Sequence, residues 1–82
     1  MITLIYFGVL KQQLGTAQEQ LAWSGGNSDE LLTRLRSRGD AWAEALAPER
    51  IFRLVVNQQI TQGTIDIPVG AEVALLPPVT GG

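Results

Sequence analysis

The stretch that decides the fold is EVALLPPVTGG, residues 72–82 at the end of the chain. Its first half has the apolar character of a buried β-strand. Pro77 and Pro78 cannot donate to a sheet ladder and fix their own φ angle, so regular pairing should stop near Leu76. We therefore predict a domain over residues 1–78 that closes on a buried strand. The remaining residues should form a flexible tail, namely Val79, Thr80, Gly81 and Gly82.

The first part of the chain favours two strands. ITLIYFGVL, residues 2–10, is apolar throughout and rich in β-branched and aromatic residues, which is typical of a central strand covered on both faces. Gly8 indicates either a bulge in this strand or its end. KQQLGT then indicates a turn around Gly15. In AQEQLAW, residues 17–23, Leu21 and Trp23 alternate with glutamines. This segment therefore predicts a second strand, paired with the first in a hairpin.

Two helical segments follow the hairpin. Asn27 or Ser28 can cap a helix that has a leucine stripe on one face and ends at Gly39. A shorter helical segment starts at Asp40 and closes at Pro48. The arginines of the first helix, in TRLRSR, indicate either a phosphate-binding patch or the solvated face of an amphipathic helix. We favour the solvated face, because arginines at helical spacing are more often exposed than ligand-bound.

RIFRLVVNQQIT, residues 50–61, returns to β character. Phe52, Leu54 and Val56 should share one face, with a tight turn at Asn57–Gln59. A right-handed crossover through the helix sets the first and last strands side by side and parallel. The prediction is an α+β fold of the β-grasp, ubiquitin-like type: a mixed sheet with one main helix and a short second helical segment. A ferredoxin-like sandwich is the alternative, but it needs two crossover helices of comparable length.

Composition excludes several kinds of chemistry. The 82 residues include no cysteine and no histidine, which removes disulfides, thiolate nucleophiles, imidazole bases and the usual zinc or copper sites. A formal charge of −2 and 6% aromatic residues do not fit a nucleic-acid binder. No apolar run is long enough to span a membrane, and the N-terminus lacks a basic n-region and a cleavage site. We expect a cytoplasmic protein that binds no metal, cofactor, nucleic acid or membrane.

The tail offers a chemical group that can leave the domain. Its four residues reach at most about 14 Å when extended, and Gly81 and Gly82 allow a narrow channel. A terminal carboxylate on Gly82 would be ionised at neutral pH and could attack the α-phosphate of ATP. A persulfide could then convert the adenylate to a thiocarboxylate. Lys11, the one lysine, is far from this end in sequence. The alternative interpretation of a terminal Gly-Gly is a cloning remnant or a frayed end without function.

Three segments carry a resemblance to a known family: EVALLPPVTGG, LVVNQQI and YFGVLKQQLG. Together they resemble the small subunits of molybdopterin synthase, a family of ubiquitin-like sulfur carriers. The resemblance implies that an adenylyltransferase related to ubiquitin-activating enzymes uses ATP to activate the Gly82 carboxylate. It further implies that a sulfur-relay protein helps to make the thiocarboxylate, and that the large catalytic subunit, in a heterotetramer, receives the tail for sulfur transfer. The acceptor would be cyclic pyranopterin monophosphate. The chain itself would not be catalytic alone.

The resemblance also implies a surface through which the family contacts its partners. By position in the matching strands, Phe7, Ile60 and Leu76 correspond to partner-binding apolar residues. The alternative is that Phe7 and Leu76 are ordinary core residues of adjacent strands. The chain departs from the family in the turn before the last strand, where VGAE replaces an acidic Asp-Gly-Asp and keeps Gly70 and Glu72 only. That departure puts acidic contacts to the activating enzyme in doubt.

Other functions remain open at this point. A carrier for thiazole or another sulfur-containing product would use the same tail, and a ubiquitin-like modifier would join it to target lysines. A structural β-grasp module would not need Gly81 and Gly82 at all.

Overall fold

The computed structural model describes residues 1–47, 53–60 and 63–77. The opening strand β1 spans Ile2–Tyr6 and is followed by helix α1 over Gly8–Leu14. Strand β2, Gln18–Leu21, pairs antiparallel with β1. The pairing of the first two strands is thus confirmed. Their connection is a helix and not a tight hairpin turn.

Of the two alternatives at Gly8, the end of the strand is the correct one, because β1 stops at Tyr6 and residues 8–10 are helical. The expected cover on both faces is wrong, because buried residues alternate with half-buried ones along β1. Gly8 has a φ of +58°, a value that side chains disfavour, and there the chain leaves the sheet direction. Leu10 and Leu14 then stand four residues apart on one side of α1, where Leu10 is buried. Gly15 ends this helix in the left-handed conformation, donating its N–H to the Lys11 carbonyl.

Helix α2 runs over Ser28–Arg36 and begins with a reciprocal cap. The Asn27 side chain accepts from the Glu30 N–H, while the Glu30 carboxylate accepts from the Asn27 N–H. Of the two capping residues expected, Asn27 is therefore the cap, and the helix ends at Arg36, before Gly39. Helix α3 spans Asp40–Ala45, with Gly39 in the cap position expected for Asp40.

The second half of the chain is mostly β. Strand β4, Arg53–Val56, turns through Asn57 and Gln58, both at positive φ, into the short strand β5 over Gln59–Ile60. This confirms the tight turn predicted from the sequence, while Phe52 lies outside the described residues. Strand β7 covers Glu72–Leu76, and its end is where the two prolines predicted it.

One mixed sheet organises the domain, in the order β2-β1-β7-β4-β5. β1 and β7 run parallel at its centre, as expected for a β-grasp fold, and β4 is antiparallel to β7. Two further short strands, β3 over Gly26–Asn27 and β6 over Asp66–Ile67, pair in a separate small sheet that the sequence did not predict. Trp23 supports this sheet by donating its indole N–H to the Ile67 carbonyl at 2.9 Å.

The core lies between one face of the main sheet and the helices. Alternate strand residues and apolar residues of the three helices form one buried cluster, whose members include Leu4, Tyr6, Leu10, Leu31, Leu35, Leu46, Leu54, Val73 and Leu75. Burying such side chains contributes about 1.5–3 kcal/mol each. Within the described ranges, no helix has the length and apolar character needed to cross a bilayer. Among the described residues there are three helices, one more than the two that the sequence predicted.

Candidate functional site

The face of the main sheet opposite the helices carries a continuous row of side chains. Ile5 of β1 pairs with Ala74 of β7, Ala74 pairs with Val55 of β4, and Val55 pairs with Ile60 of β5. Residues directly opposite in neighbouring strands share a face, so these four lie side by side across the sheet. We call the sheet surface that bears them the open face.

A second row crosses the open face where β1 and β7 end. Arg53 pairs with Leu76, and Phe7 follows the Tyr6–Leu75 pair on the other side. The Phe7 N–H donates to the Leu75 carbonyl at 3.2 Å, which carries the β1–β7 ladder one residue past β1. Phe7 is therefore held beside the last residue of the closing strand.

The two rows enclose a shallow groove of about 350 Å³. Its lining has an apolar part, made by Ile5, Phe7, Val55, Ala74 and Leu76, and a polar part, made by Glu72 and Gln58. The polar groups of the groove are the Glu72 carboxylate and the Gln58 amide. These two groups do not form an acid–base pair with a nucleophile, so the groove does not have the makeup of a catalytic site. It is suited to receive an apolar protuberance of another protein.

The three residues predicted to bind partners all lie on the open face. Phe7 is 45% exposed and Ile60 is 66% exposed, while Leu76 is half-buried at the rim of the groove. The structure thus places Phe7 on the surface and not in the core. Their contact with a partner stays a prediction, because it depends on a second protein.

Sequence reasoning missed the groove residues Ile5, Val55 and Ala74. Each is half-buried and alternates along its strand with buried neighbours. The alternation was a usable signal, but the register that aligns them across three strands comes from long-range pairing.

The root of the tail is set by a close contact between Gly8 and Pro77. A Cβ atom added to Gly8 would stand 2.9 Å from Cγ of Pro77, closer than such atoms pack, and the φ of +58° is unfavourable for other residues. The Pro77 ring therefore packs against the first residue of α1. The tail residues Val79, Thr80, Gly81 and Gly82 lie outside the described residues.

A partly exposed polar cluster on the helix side of the sheet joins Tyr6, Glu19, Arg38 and Trp42. The Arg38 guanidinium binds both oxygens of Glu19 at 2.8 and 2.9 Å and stacks on Trp42 at 4.7 Å, while the Tyr6 hydroxyl donates to Glu19 at 2.8 Å. The hydrogen bond from Arg38 holds the pKa of Glu19 below its ordinary value. Burial, aided by Glu19, raises the pKa of Tyr6 above its ordinary range.

The other two arginines of TRLRSR also make specific contacts. Arg34 donates to the Ala22 carbonyl and Arg36 to the Leu46 carbonyl, each at 2.6 Å. Each side chain ties α2 to a neighbouring segment. Arg34 and Arg38 are nonetheless exposed and Arg36 is half-buried, which agrees with the favoured interpretation of a solvated helix face. Across the parts of the chain that the structure describes, no three His, Cys, Asp or Glu side chains converge in a way that could hold a metal ion.

Comparison with known proteins extends along the whole chain. The molybdopterin synthase sulfur carrier subunit of Escherichia coli is 30% identical over 82 residues, which cover 100% of both chains. The protein of the same name from Haemophilus influenzae is 28% identical over an equal length, again covering both chains completely. The family described as the ThiS family matches residues 4–82, and the chain therefore belongs to the ThiS family.

Proposed function

We propose that this chain is the sulfur carrier subunit of a molybdopterin synthase and carries sulfur on the carboxyl group of Gly82. The observation that carries the proposal is its full-length similarity to two proteins that bear this name. The arrangement of the open face supports it, since its apolar groove includes Leu76, the last residue of β7 before the two prolines.

The chemistry of the proposed cycle uses the chain end and no side chain of the domain. The Gly82 carboxylate attacks the α-phosphate of ATP on an adenylyltransferase, giving an acyl-adenylate and pyrophosphate. A persulfide sulfur of a relay protein displaces AMP at the carbonyl carbon and gives an acyl disulfide. A thiol then attacks the relay protein's sulfur in that bond, which forms a new disulfide and releases the thiocarboxylate. Two such thiocarboxylates supply the two sulfur atoms that cyclic pyranopterin monophosphate needs to become a dithiolene.

The domain's part in this cycle is to hold its partners in turn. Phe7 and Ile60 are exposed apolar side chains, and the groove with Leu76 at its rim lies beside the root of the tail. A partner that covers the open face receives the tail at a fixed position, because Pro77 rests on Gly8. The same surface serves the adenylyltransferase and the large catalytic subunit, so the two partners must exclude each other.

A mass measurement tests the sulfur-carrying step. The chain is incubated with ATP, an adenylyltransferase of the ubiquitin-activating type and a persulfide donor. We expect the C-terminal peptide to become heavier by the difference between a sulfur and an oxygen atom. A chain ending at Gly81 provides the matched control, and an unchanged Gly82 carboxylate despite pyrophosphate release would contradict the proposal.

A carrier for a different sulfur acceptor is a second candidate, because the family match alone names no acceptor. The thiocarboxylated chain would then donate to a thiazole-forming enzyme. Incubation of one thiocarboxylate preparation with each acceptor system separates the two. Our proposal expects sulfur transfer with the molybdopterin synthase large subunit and not with the thiazole system.

A further inference from the structure

Lys11 is the one lysine of the chain, and it lies near the root of the tail in the fold although it is distant in sequence. Helix α1 begins at Gly8, which contacts Pro77, the last described residue before the tail. Lys11 follows Gly8 by three residues, so the two share one side of the helix about 4.5 Å apart along its axis. Lys11 is exposed to solvent.

The length of the tail brings its end within reach of this amine. Five residues follow Pro77, and they span at most about 17 Å. Lys11 stands one helical turn from the glycine on which Pro77 rests, so the tail can reach it without being fully extended. Because the path from Pro77 to Lys11 is shorter than the reach of the tail, the tail must bend to bring Gly82 to the amine, and its two glycines permit this bend.

The other amine of the chain is the α-amine of Met1, and it lies at the opposite end of the sheet. β1 runs parallel to β7, so its first residue is level with the start of β7 and not with its end. The six residue steps from Met1 to Phe7 cover about 20 Å. That distance exceeds the maximum reach of the tail, so the fold places one amine within range and the other outside it.

We propose that Lys11 is an acylation site for the chain's own C-terminus. The proposal rests on the proposed function for its physiological substrate, the acyl-adenylate of Gly82. The unprotonated Lys11 nitrogen attacks the Gly82 carbonyl carbon, a C–N bond forms, the bond from that carbon to the phosphate oxygen breaks, and AMP leaves. The nitrogen's remaining extra proton goes to solvent, and the product is an internal amide that cannot carry sulfur.

The reaction is intramolecular and so does not depend on protein concentration. A short flexible connection gives an effective concentration on the order of 1 mM, about 100 times that of a 10 µM protein solution. Attack on a second molecule is correspondingly slower. Any partner that receives the activated tail must therefore hold it away from Lys11 until sulfur arrives.

A chain of residues 1–82 bearing a thioester at Gly82, prepared by intein cleavage, tests the proximity without an activating enzyme. We expect a product lighter than the free acid by one water molecule, with fragment ions that join Lys11 to Gly82. Lys11→Arg keeps the charge and removes the nucleophile. Because the side chain is exposed, the variant should fold, and its lighter product should fall at least about tenfold, as expected when the intramolecular path is lost.

Several results would overturn the inference. These are an equal yield of lighter product from Lys11→Arg, a cross-link to the Met1 α-amine, or a product whose yield rises with protein concentration. A second arm uses ATP and the adenylyltransferase without a sulfur donor, with ATP–pyrophosphate exchange as the readout. If the thioester forms the Lys11 amide but no ATP–pyrophosphate exchange occurs, the proposed function is refuted and the proximity of Lys11 to the tail stands. If exchange occurs but neither experiment yields the Lys11 amide, this inference alone is refuted.

Discussion

The two faces of the main sheet are built from the same strands and differ in what covers them. Toward the helices, Leu4, Val73 and Leu75 are fully buried, whereas on the open face Ile5 and Ala74 stay partly exposed and Ile60 is mostly exposed. Both faces are apolar. The difference teaches that apolar character alone does not identify the core, since the helices of the chain cover one face and leave the other open to solvent.

Leu75 and Leu76 allow the sharpest test of this contrast, because they are neighbours that point to opposite faces. Leu75→Ala should lower the free energy of unfolding by about 2–5 kcal/mol, as truncation of a fully buried leucine does. Leu76→Ala should lower it by at most about 1 kcal/mol, since the side chain already contacts solvent. Urea denaturation measures both, and equal losses would show that the faces do not differ.

The open face should matter more for binding than for stability. Phe7→Ala and Ile60→Ala should each weaken binding to the large subunit by at least about tenfold, the cost typical of an apolar anchor residue. Val69→Ala is the matched control, because Val69 is 58% exposed but lies before β7, away from the tail root. Titration calorimetry distinguishes the variants, and an equal effect from Val69→Ala would refute a localised surface.

The small second sheet extends the covered side, and Trp23 tests its contribution. Trp23→Phe retains most of the buried ring but removes the hydrogen bond to the Ile67 carbonyl. We expect a loss of about 1 kcal/mol in the free energy of unfolding. The urea midpoint should fall while the slope of the transition stays the same, and an unchanged midpoint would show that the bond is not needed.

The polar cluster at Glu19 should give the covered side a weak dependence on acid. Folding lowers the pKa of Glu19, so its stabilisation is present above the unfolded value of about 4.3 and is lost as the pH falls through the folded value. The contribution should be under about 1 kcal/mol because the pair is partly exposed. Glu19→Gln and Arg38→Gln should both flatten the stability curve below pH ~4.3, and an unaltered curve would contradict this.

The sequence predicted the strands at the two ends of the domain because hydrophobic pattern and proline chemistry are local, and the right-handed crossover rule then predicted their parallel pairing. It missed α1 because Gly8, Val9 and Leu10 continue an apolar run, and the break depends on a positive φ beside Pro77. The open-face residues Phe7, Ile60 and Leu76 came from a family resemblance. Their shared surface, and the approach of Lys11 to the tail root, depend on strand register and packing, which no local pattern encodes.

The most direct test of the whole account is sulfur transfer to the large subunit with two chains, one intact and one ending at Gly81. Both should bind the large subunit equally, because the open face that would make the contact is the same in each. Only the intact, thiocarboxylated chain should form the dithiolene product, and the shortened chain should inhibit it by competition. Product formation by the shortened chain, or failure of that chain to compete, would contradict a domain that binds through its open face and delivers sulfur from its end.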